Sequence, residues 1–284
     1  MKVYKFGGAS VRNAAGVRNL RRIIGQERQL FVIVSAMGKT TNALERVFEA
    51  FRQGDEARAA EHVGSLRAFH AEIIDDLWHG SVRLDSVERL FGELEGDLAT
   101  AAYRPEEAEL WYDRIVAYGE LLSTTIISEY LNRSGLRNRW IDMRRCLRTG
   151  PRHKDAEVDL EASRPLLRAA VAEADADIFV AQGFIGGAPD GTIATLNVSE
   201  GDEITNGALI GSILEGEDMN LTIAVDELKF TVWHTPGHTE GGVVLLCGEY
   251  LFAGDTVFQG SMGRTDLEGG DDCKMEQLSL IHIS

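Results

Sequence analysis

The sequence predicts an α/β fold that is joined to a region richer in β-strands. Over about the first 196 residues, short apolar runs of strand length alternate with longer segments of helical period. Past Gly201, short strand-like segments separated by glycine or acidic turns replace the helical periods. Alternating strands and helices are typical of layered α/β domains, so the change of pattern indicates two joined architectures. The 284 residues suffice to bury a core in one large domain or two ordinary ones.

A strand, a helix and a second strand open the chain. The stretch KVYKF is a short strand that ends in glycines, and Val17, Leu20 and Ile24 recur at helical spacing before Gly25. The stretch LFVIVSAMG is a continuous apolar run, mostly β-branched or aromatic. Such a run predicts a central parallel strand that is covered on both faces.

Helical periods fill residues 42–131, and the clearest predicted helix there is PEEAELWYDRIVAYGELLSTTIISEYL. It begins at Pro105 with two glutamates, which favour a helix start. Its apolar residues form one stripe, which comprises Trp111, Ile115, Tyr118, Leu122 and Ile126. Two further strands of the layered domain are predicted at NRWID and ADIFVAQG.

Composition and charge exclude several classes of partner. Hydrophobic residues make up 44% and charged residues 26%, as in ordinary globular proteins. The net charge of −16 argues against nucleic acid or an anionic membrane, because both require a basic surface. The negative net charge is still compatible with a bound nucleotide, since backbone dipoles and one lysine can hold a phosphate. No apolar run reaches the roughly 18 residues of a membrane span.

Cysteine usage and the N-terminus predict a cytoplasmic protein. The three cysteines are scattered and lack metal-type spacing, which fits a reducing compartment. The stretch MKVYKFGG enters a strand without an apolar segment and a cleavage site, so we expect no signal peptide. The sequence leaves the oligomeric state open.

The first candidate anion site is the loop after the first strand. Lys5 lies at the strand end and is followed by Gly7 and Gly8, with Ser10 in the same loop. Two glycines let bare backbone N–H groups approach an anion closely, and the lysine ammonium adds a positive charge. The alternative is a structural turn without a ligand, because so short a motif also occurs in such turns.

The second candidate is the segment VSAMGKTTN at the end of the buried strand, since ligands of open α/β sheets bind at such carboxyl ends. Its GKT suggests a P-loop, but Ile33 stands where that motif requires glycine, which excludes it. Ser35 and Thr41 remain as hydroxyl donors to a ligand. Alternatively, Thr40 or Thr41 caps the helix that follows.

The third candidate is the pair Gly119-Glu120 inside the clearest helix. A glycine within a helix costs about 1 kcal/mol relative to alanine. A close approach of another group to the helix backbone would explain the glycine, and the neighbouring carboxylate is then placed to hold an amine. The alternative is an exposed glutamate beside a packing glycine.

These segments resemble the N-terminal part of aspartokinases, which are members of the amino-acid kinase family. Five segments within about residues 1–196 occur in the same order as in that family. They are KFGGASV, VSAMGKTTN, YGELLST, WIDMRRCLRT and AQGFIGG…G…TL. The resemblance implies an α/β/α sandwich that transfers the γ-phosphoryl group of ATP to the β-carboxylate of aspartate. It implies ATP and aspartate as small-molecule partners, with Mg²⁺ bridging the nucleotide phosphates.

The resemblance also implies roles for single residues of the first loop. Lys5 would neutralise the transferring phosphate, while Gly7 and Gly8, with Ser10, would hold the nucleotide phosphates. Phosphoryl transfer requires mainly positioning and charge neutralisation, which a lysine, backbone donors and a metal ion supply.

For the acceptor, the resemblance implies that Ser35 and Thr41 contact aspartate and that Glu120 holds its amino group. In that family the segment TTL is followed by an Arg-Gly-Gly-Ser-Asp type segment, whose arginine binds the substrate carboxylate. Here Leu196 is followed by NVSEGDEITNG, which lacks that arginine. We therefore expect a truncated sandwich whose sheet exposes an edge and an apolar face.

A second resemblance covers about residues 218–278, which contain HTPGHT and LFAGDTVFQGSMGRTDLEGGD. Both motifs resemble metallo-β-lactamase-fold hydrolases of the glyoxalase II-like type, which implies a partial αββα segment with His238 and Asp255 as ligands of Zn²⁺. A catalytic zinc site needs about three protein ligands, and the family's His-x-His-x-Asp-His cluster is absent from the sequence. The alternative is that His238 is an ordinary loop histidine.

The sequence therefore predicts two regions: residues 1–196, an incomplete aspartokinase-like catalytic region, and residues 197–284, a junction with a metallo-β-lactamase-like fragment. The final LSLIHIS does not continue the fragment's pattern and is excluded from fold reasoning. The leading function is an aspartate kinase-like phosphotransferase of amino-acid biosynthesis, impaired or inactive in this chain. A metal-dependent hydrolase and a non-catalytic chimeric fusion are the alternatives.

Overall fold

A computed structural model describes residues 1–80, 82–154 and 156–196, followed by the segments 221–225, 228–235, 243–247, 250–252, 257–258 and 261–262. Its helices are α1 (Ala14–Ile24), α2 (Thr40–Arg52), α3 (Glu56–Trp78), α4 (Asp85–Thr100), α5 (Ala108–Val116), α6 (Tyr118–Arg133), α7 (Met143–Cys146) and α8 (Leu160–Ala172). Its strands are β1 (Lys2–Phe6), β2 (Leu30–Val34), β3 (Arg139–Ile141), β4 (Ile178–Gln182), β5 (Ile185–Gly187), β6 (Ile193–Thr195), β7 (Leu221–Val225), β8 (Leu228–His234), β9 (Val243–Cys247), β10 (Tyr250–Phe252), β11 (Val257–Phe258) and β12 (Ser261–Met262). No helix in the described part of the chain has the length and apolar character needed to cross a membrane.

One sheet organises the fold, and in the described residues it has eight strands in the order β10-β9-β8-β7-β1-β2-β4-β3. The strands from β7 to β3 in this order run parallel, and β8, β9 and β10 continue the sheet in antiparallel fashion. The register sets Lys5 opposite Ile33, and Val34 opposite Gln182. The carboxyl ends of β1, β2 and β4 therefore lie side by side at one end of the sheet.

β2 is covered on both faces, as its apolar run predicts. Leu30, Val32 and Val34 pack into the core formed with α1–α6, whereas Phe31 and Ile33 belong to the core on the side of α7 and α8. Alternate residues of a strand point to opposite faces, so each face of β2 meets its own helical layer. The predicted α/β sandwich with a parallel sheet is confirmed for the first part of the chain.

We expected a truncated sheet with an exposed edge, and the structure corrects this expectation on the side of β1. β7 pairs with β1 in parallel, with Val3 opposite Leu221. β8 and β9 then extend the sheet, and Val232 and Val244 on these strands are buried. Strand pairing uses backbone groups, so an extended segment from the second part of the chain can fill the place beside β1. The strands of the second part therefore continue the sheet of the first.

The predicted single helix over residues 105–131 is divided in the structure. Pro105–Glu107 forms a 3₁₀ turn, and α5 and α6 are separated at Ala117. Hydrogen bonds from Ala117 N to Asp113 O, at 3.1 Å, and from Leu121 N to Ala117 O, at 3.2 Å, continue across the join. The interruption is therefore local. The initial turn is tighter than expected because 3₁₀ geometry is frequent at helix N-termini.

Candidate active site

The loops after β1 and β2 meet at the carboxyl ends of the strands. The N–H of Ser35 donates to the carbonyl of Phe6 at 3.1 Å, and the N–H of Gly38 donates to the carbonyl of Gly8 at 2.9 Å. Lys5 immediately precedes the first loop and is buried, with 4% of the residue exposed. The structure thus brings together the two loops in which the sequence predicts anion and substrate binding.

Gly8 is required by the packing of these loops. A Cβ atom at this position would lie far inside van der Waals contact with the carbonyl oxygen of Ala36. A backbone oxygen cannot swing aside like the end of a side chain, so a larger residue at Gly8 would push the loops apart. The N–H of Ser10 closes the first loop on the carbonyl of Gly7 at 3.0 Å. Ligand contacts of Gly7, Gly8 and Ser10 stay predictions.

Glu120 reaches the second loop from α6. It is buried, with 3% exposed, and its Oε1 accepts a hydrogen bond of 3.1 Å from the N–H of Ala36. Gly119 permits this contact, because a Cβ there would lie 2.9 Å from Cβ of Ala36 and 3.4 Å from Cγ2 of Thr40. The alternative of an exposed glutamate is wrong. The close approach predicted from Gly119 is confirmed, and the approaching group is the loop between β2 and α2.

The two hydroxyl candidates flank the same loop. Ser35 follows β2 and Thr41 lies in the first turn of α2, and both are partly buried. Gly183 follows β4, and a Cβ atom added to it would lie 4.0 Å from Oγ of Ser35. The ends of β1, β2 and β4 therefore meet near this hydroxyl. The capping alternative is wrong, because α2 begins without a side-chain cap bond and the Thr40 hydroxyl donates to the carbonyl of Met37 at 2.7 Å.

A polar network that sequence reasoning missed supports Glu120. Oγ1 of Thr124 donates to the Glu120 carbonyl at 2.7 Å and accepts hydrogen bonds of 2.9 Å from Nε2 of Gln182 and Nε1 of Trp140. Oε1 of Gln182 accepts from the N–H of Met143 at 2.9 Å. The network fixes α6, β4 and the start of α7 to one another. A glutamine at the end of the apolar strand IFVAQ was the signal that could have revealed it.

A second buried carboxylate, Asp113 on α5, was also missed. It accepts a 2.8 Å hydrogen bond from the N–H of Lys154 and a short one from Oγ1 of Thr195, and lies 3.2 Å from Nδ1 of His153. Burial raises the pKa of the Asp113 carboxyl, and these hydrogen bonds oppose the increase because they stabilise the charged form. Asp113 therefore fastens the end of β6 to α5. No motif in the sequence marks it.

The predicted metal ligands His238 and Asp255 lie outside the described residues. Within the ranges that the structure does describe, no group of three or more histidine, cysteine, aspartate or glutamate side chains is placed to hold a metal ion. The zinc prediction for the second part of the chain is therefore not tested by the structure.

Sequence models of two families match the chain. The Amino acid kinase family matches residues 1–220, which is well over half of the chain. The Metallo-beta-lactamase superfamily matches residues 203–279, a smaller segment. Both matches agree with the resemblances found in the sequence motifs.

Similar curated proteins include several aspartokinases. The lysine-sensitive aspartokinase 3 of Escherichia coli is 29% identical over 196 residues, and the alignment covers 68% of this chain and 42% of that protein. The aspartokinase of Chlamydia muridarum is 26% identical over 220 residues, with 77% of this chain and 47% of that protein covered. The chain thus spans less than half the length of these two relatives.

A solved structure with the same architecture is that of Escherichia coli aspartokinase III in complex with aspartate and ADP in the R-state. It matches with a TM-score of 0.65 at 27% identity, over 79% of this chain and 49% of that chain. The motif order, the parallel sheet and the family match over residues 1–220 agree with one another. The chain therefore belongs to the amino acid kinase family.

Proposed function

We propose that the chain is an aspartokinase-type phosphotransferase unit that transfers the γ-phosphoryl group of ATP to the β-carboxylate of aspartate. ATP enters this reaction as its Mg²⁺ complex. The observation that carries the proposal is the convergence of Lys5, the loop of Ser35 and Glu120 at the carboxyl ends of the parallel strands. The similarity to an aspartokinase whose structure contains aspartate and ADP supports it.

Lys5 is the proposed catalytic residue. Its ammonium lies in a buried environment, where a charge acts more strongly than in water, and it would neutralise the charge on the transferring phosphoryl group. Gly7, Gly8 and Ser10 would bind the nucleotide phosphates through backbone N–H groups and one hydroxyl. The aspartate β-carboxylate is ionised at neutral pH, so it attacks the γ-phosphorus without a general base, and ADP leaves.

The acceptor is proposed to bind between the second loop and α6. The hydrogen bond from Ala36 N fixes one carboxylate oxygen of Glu120. In its ionised form this carboxylate would pair with a cation such as the ammonium of aspartate. Ser35 and Thr41 would donate hydroxyl hydrogen bonds to the carboxylates of aspartate. This arrangement turns the β-carboxylate of aspartate toward the phosphates held near Lys5.

The same proposal predicts weak activity for this chain. The segment NVSEGDEITNG after Leu196 contains no arginine that could bind a substrate carboxylate with two parallel hydrogen bonds. Each hydrogen bond to a charged group contributes about 1.5–3 kcal/mol. We therefore expect aspartate to saturate the site only at high concentration.

Nucleotide binding tests the phosphate side of the proposal. Calorimetric titration with Mg²⁺-ATP is expected to give a Kd at least about tenfold higher for Lys5→Met than for the wild type, because a buried charge-assisted contact is lost. Lys2→Met is the matched control, since Lys2 lies on the same strand but is exposed and pairs with Glu27. Circular dichroism verifies that both variants fold. Equal ATP affinity of Lys5→Met and wild type would refute the role of Lys5.

A metal-dependent hydrolase activity of the second part is the second candidate, and the superfamily match over residues 203–279 favours it. His238 and Asp255 are its proposed metal ligands, within the proposed region 197–284. Two ligands fall short of the three that a catalytic zinc site needs, so this candidate requires at least one further ligand. If the hydrolase candidate holds, zinc co-purifies with the wild type and is lost in a His238→Ala/Asp255→Ala double variant. Equal zinc content in both proteins would exclude this site.

A further inference from the structure

A small cavity between α2 and α3 carries basic side chains on both walls. Its volume is about 220 Å³. Lys39 and Arg46 line it from the side of α2, and His62 lines it from α3. None of the lining residues in the described part of the chain is acidic. The cavity is thus positive in a chain whose net charge is −16.

Helical spacing places these groups around one space. Lys39 and Arg46 are seven residues apart, which is about two helical turns, and so share one face at the start of α2. His62 and Phe69 on α3 are also seven residues apart and line the same cavity. The two facing helices therefore present donors from opposite sides, above an apolar floor that includes Leu66.

The hydroxyls of Thr40 and Ser65 in the cavity donate to the carbonyls of Met37 and Glu61, whereas its three basic side chains are left without partners among the described residues. Lys39 and Arg46 form no hydrogen bond or ion pair with their side chains to any residue that the structure describes, and Nε2 of His62 is buried without a hydrogen-bond partner there. Acidic partners are not scarce, because the nearby Arg67 on α3 binds both Glu88 and Glu95. Lys39 and Arg46 are exposed residues at the rim of the cavity, so the cost of a buried polar atom without a partner applies to Nε2 of His62. A ligand that accepts hydrogen bonds would satisfy this nitrogen and pair with the two cations.

The start of α2 adds to the positive field. The helix begins next to Lys39 without a side-chain cap and has no acidic residue in its first turn. No acidic residue of its own first turn therefore offsets the positive end of its dipole. This contribution reinforces the side chains that line the cavity and points to an anion.

We propose that this cavity binds a phosphate group, either free or carried by a phosphomonoester. A guanidinium, an ammonium and an imidazole around one space match a group whose several oxygens accept hydrogen bonds from different directions. The volume of about 220 Å³ is below the roughly 300–1,000 Å³ of pockets for larger organic ligands, so the cavity is sized for a phosphate group. None of the proposed catalytic and substrate residues Lys5, Ser35, Thr41 and Glu120 lines this cavity, although Thr40, the neighbour of Thr41, does.

Titration of the full chain with inorganic phosphate tests the proposal, and a parallel titration with glycerol phosphate distinguishes the free ion from a phosphomonoester. Arg46→Gln and Lys39→Gln are each expected to raise the Kd at least about tenfold, because each removes a charge-assisted contact. Arg58→Gln is the matched control, since Arg58 is an exposed arginine on α3 that does not line the cavity. Its Kd is expected to equal that of the wild type.

A local readout separates this site from the proposed ATP site. The imidazole NMR signals of His62, identified by their loss in His62→Gln, are expected to shift on addition of phosphate. Lys5→Met is expected to retain this shift, and Arg46→Gln to lose it at the same phosphate concentration. The proposal is overturned if the His62 signals do not respond to phosphate, if Arg46→Gln binds like the wild type, or if Lys5→Met abolishes the binding.

Discussion

Oε1 of Glu120 accepts a hydrogen bond of 3.1 Å from the N–H of Ala36, which ties α6 to the loop after β2. That loop also carries Ser35 and packs its backbone against Gly8 of the first loop. The three elements of the candidate site are thus coupled through one short segment. A change that lifts α6 from this segment is expected to disturb both the fold and the site.

Gly119→Ala tests this coupling. The added methyl would lie 2.9 Å from Cβ of Ala36, which cannot move without its backbone. Overpacking typically costs about 1–3 kcal/mol, which exceeds the roughly 1 kcal/mol that alanine gains over glycine in a helix. Urea denaturation is therefore expected to show a net loss of stability. Gly92→Ala is the matched control on α4, where no atom lies within 4 Å of the new methyl, and it is expected to stabilise the protein.

Glu120→Gln separates the structural role of this side chain from its proposed role in binding. Glutamine keeps an oxygen that accepts from Ala36 N but loses the charge that would hold the ammonium of aspartate. We expect a melting temperature close to that of the wild type and an affinity for aspartate at least about tenfold lower, measured by calorimetry with ADP present. Unchanged aspartate affinity would remove Glu120 from the substrate site.

The sequence predicted those features that depend on local pattern. The apolar run Leu30–Val34 indicated a strand buried on both faces, and Gly119 indicated a close approach to its helix. Both predictions depend only on a residue and its immediate neighbours along the chain. The partner that approaches Gly119 was not predictable, because Ala36 is more than 80 residues away and its N–H carries no side-chain signal.

Long-range pairings were beyond the sequence patterns. The pairing of Val3 with Leu221 joins distant segments through backbone groups that every residue shares, so the patterns led to the wrong expectation of an open edge. The bonds from Thr195 and Lys154 to Asp113 likewise connect elements whose proximity is set only by the complete fold. Such contacts require the three-dimensional structure.

Asp113→Ala is expected to be strongly destabilising. It would leave the N–H of Lys154 and the hydroxyl of Thr195 without their buried acceptor. A buried donor that loses its partner costs about 1–3 kcal/mol, so a total loss of at least about 2 kcal/mol is expected in chemical denaturation. Asp113→Asn keeps one acceptor oxygen and should lose less stability than the alanine variant. An alanine variant as stable as the asparagine variant would contradict this account.

His70 makes the stability of the fold sensitive to acid. Burial lowers its pKa from the usual 6.5 to about 4, while its Nδ1 lies 2.9 Å from the Leu66 carbonyl. Between pH 4 and 6.5 the unfolded chain binds a proton at His70 that the folded chain does not bind. The contribution of neutral His70 to the free energy of unfolding is therefore complete above pH 6.5. As the pH falls from 6.5 toward 4, the free energy of unfolding decreases by up to about 3 kcal/mol.

The non-titrating variant His70→Met isolates this effect. Unfolding free energies of variant and wild type, measured in urea at a series of pH values, are expected to differ by a constant amount above pH 7. Between pH 6.5 and 4 the wild type should lose stability relative to the variant. Parallel curves over the whole range would show that His70 does not titrate differently in the folded and unfolded states.

Trapping of an acyl phosphate with hydroxylamine tests the central claim most directly, namely that Lys5, the Ser35 loop and Glu120 form a phosphoryl-transfer site. The chain is incubated with Mg²⁺-ATP, a high concentration of aspartate and hydroxylamine, and aspartyl hydroxamate is measured. The account predicts hydroxamate that requires both ATP and aspartate and that exceeds the amount formed by folded Lys5→Met. A wild-type signal no greater than that of Lys5→Met would contradict it.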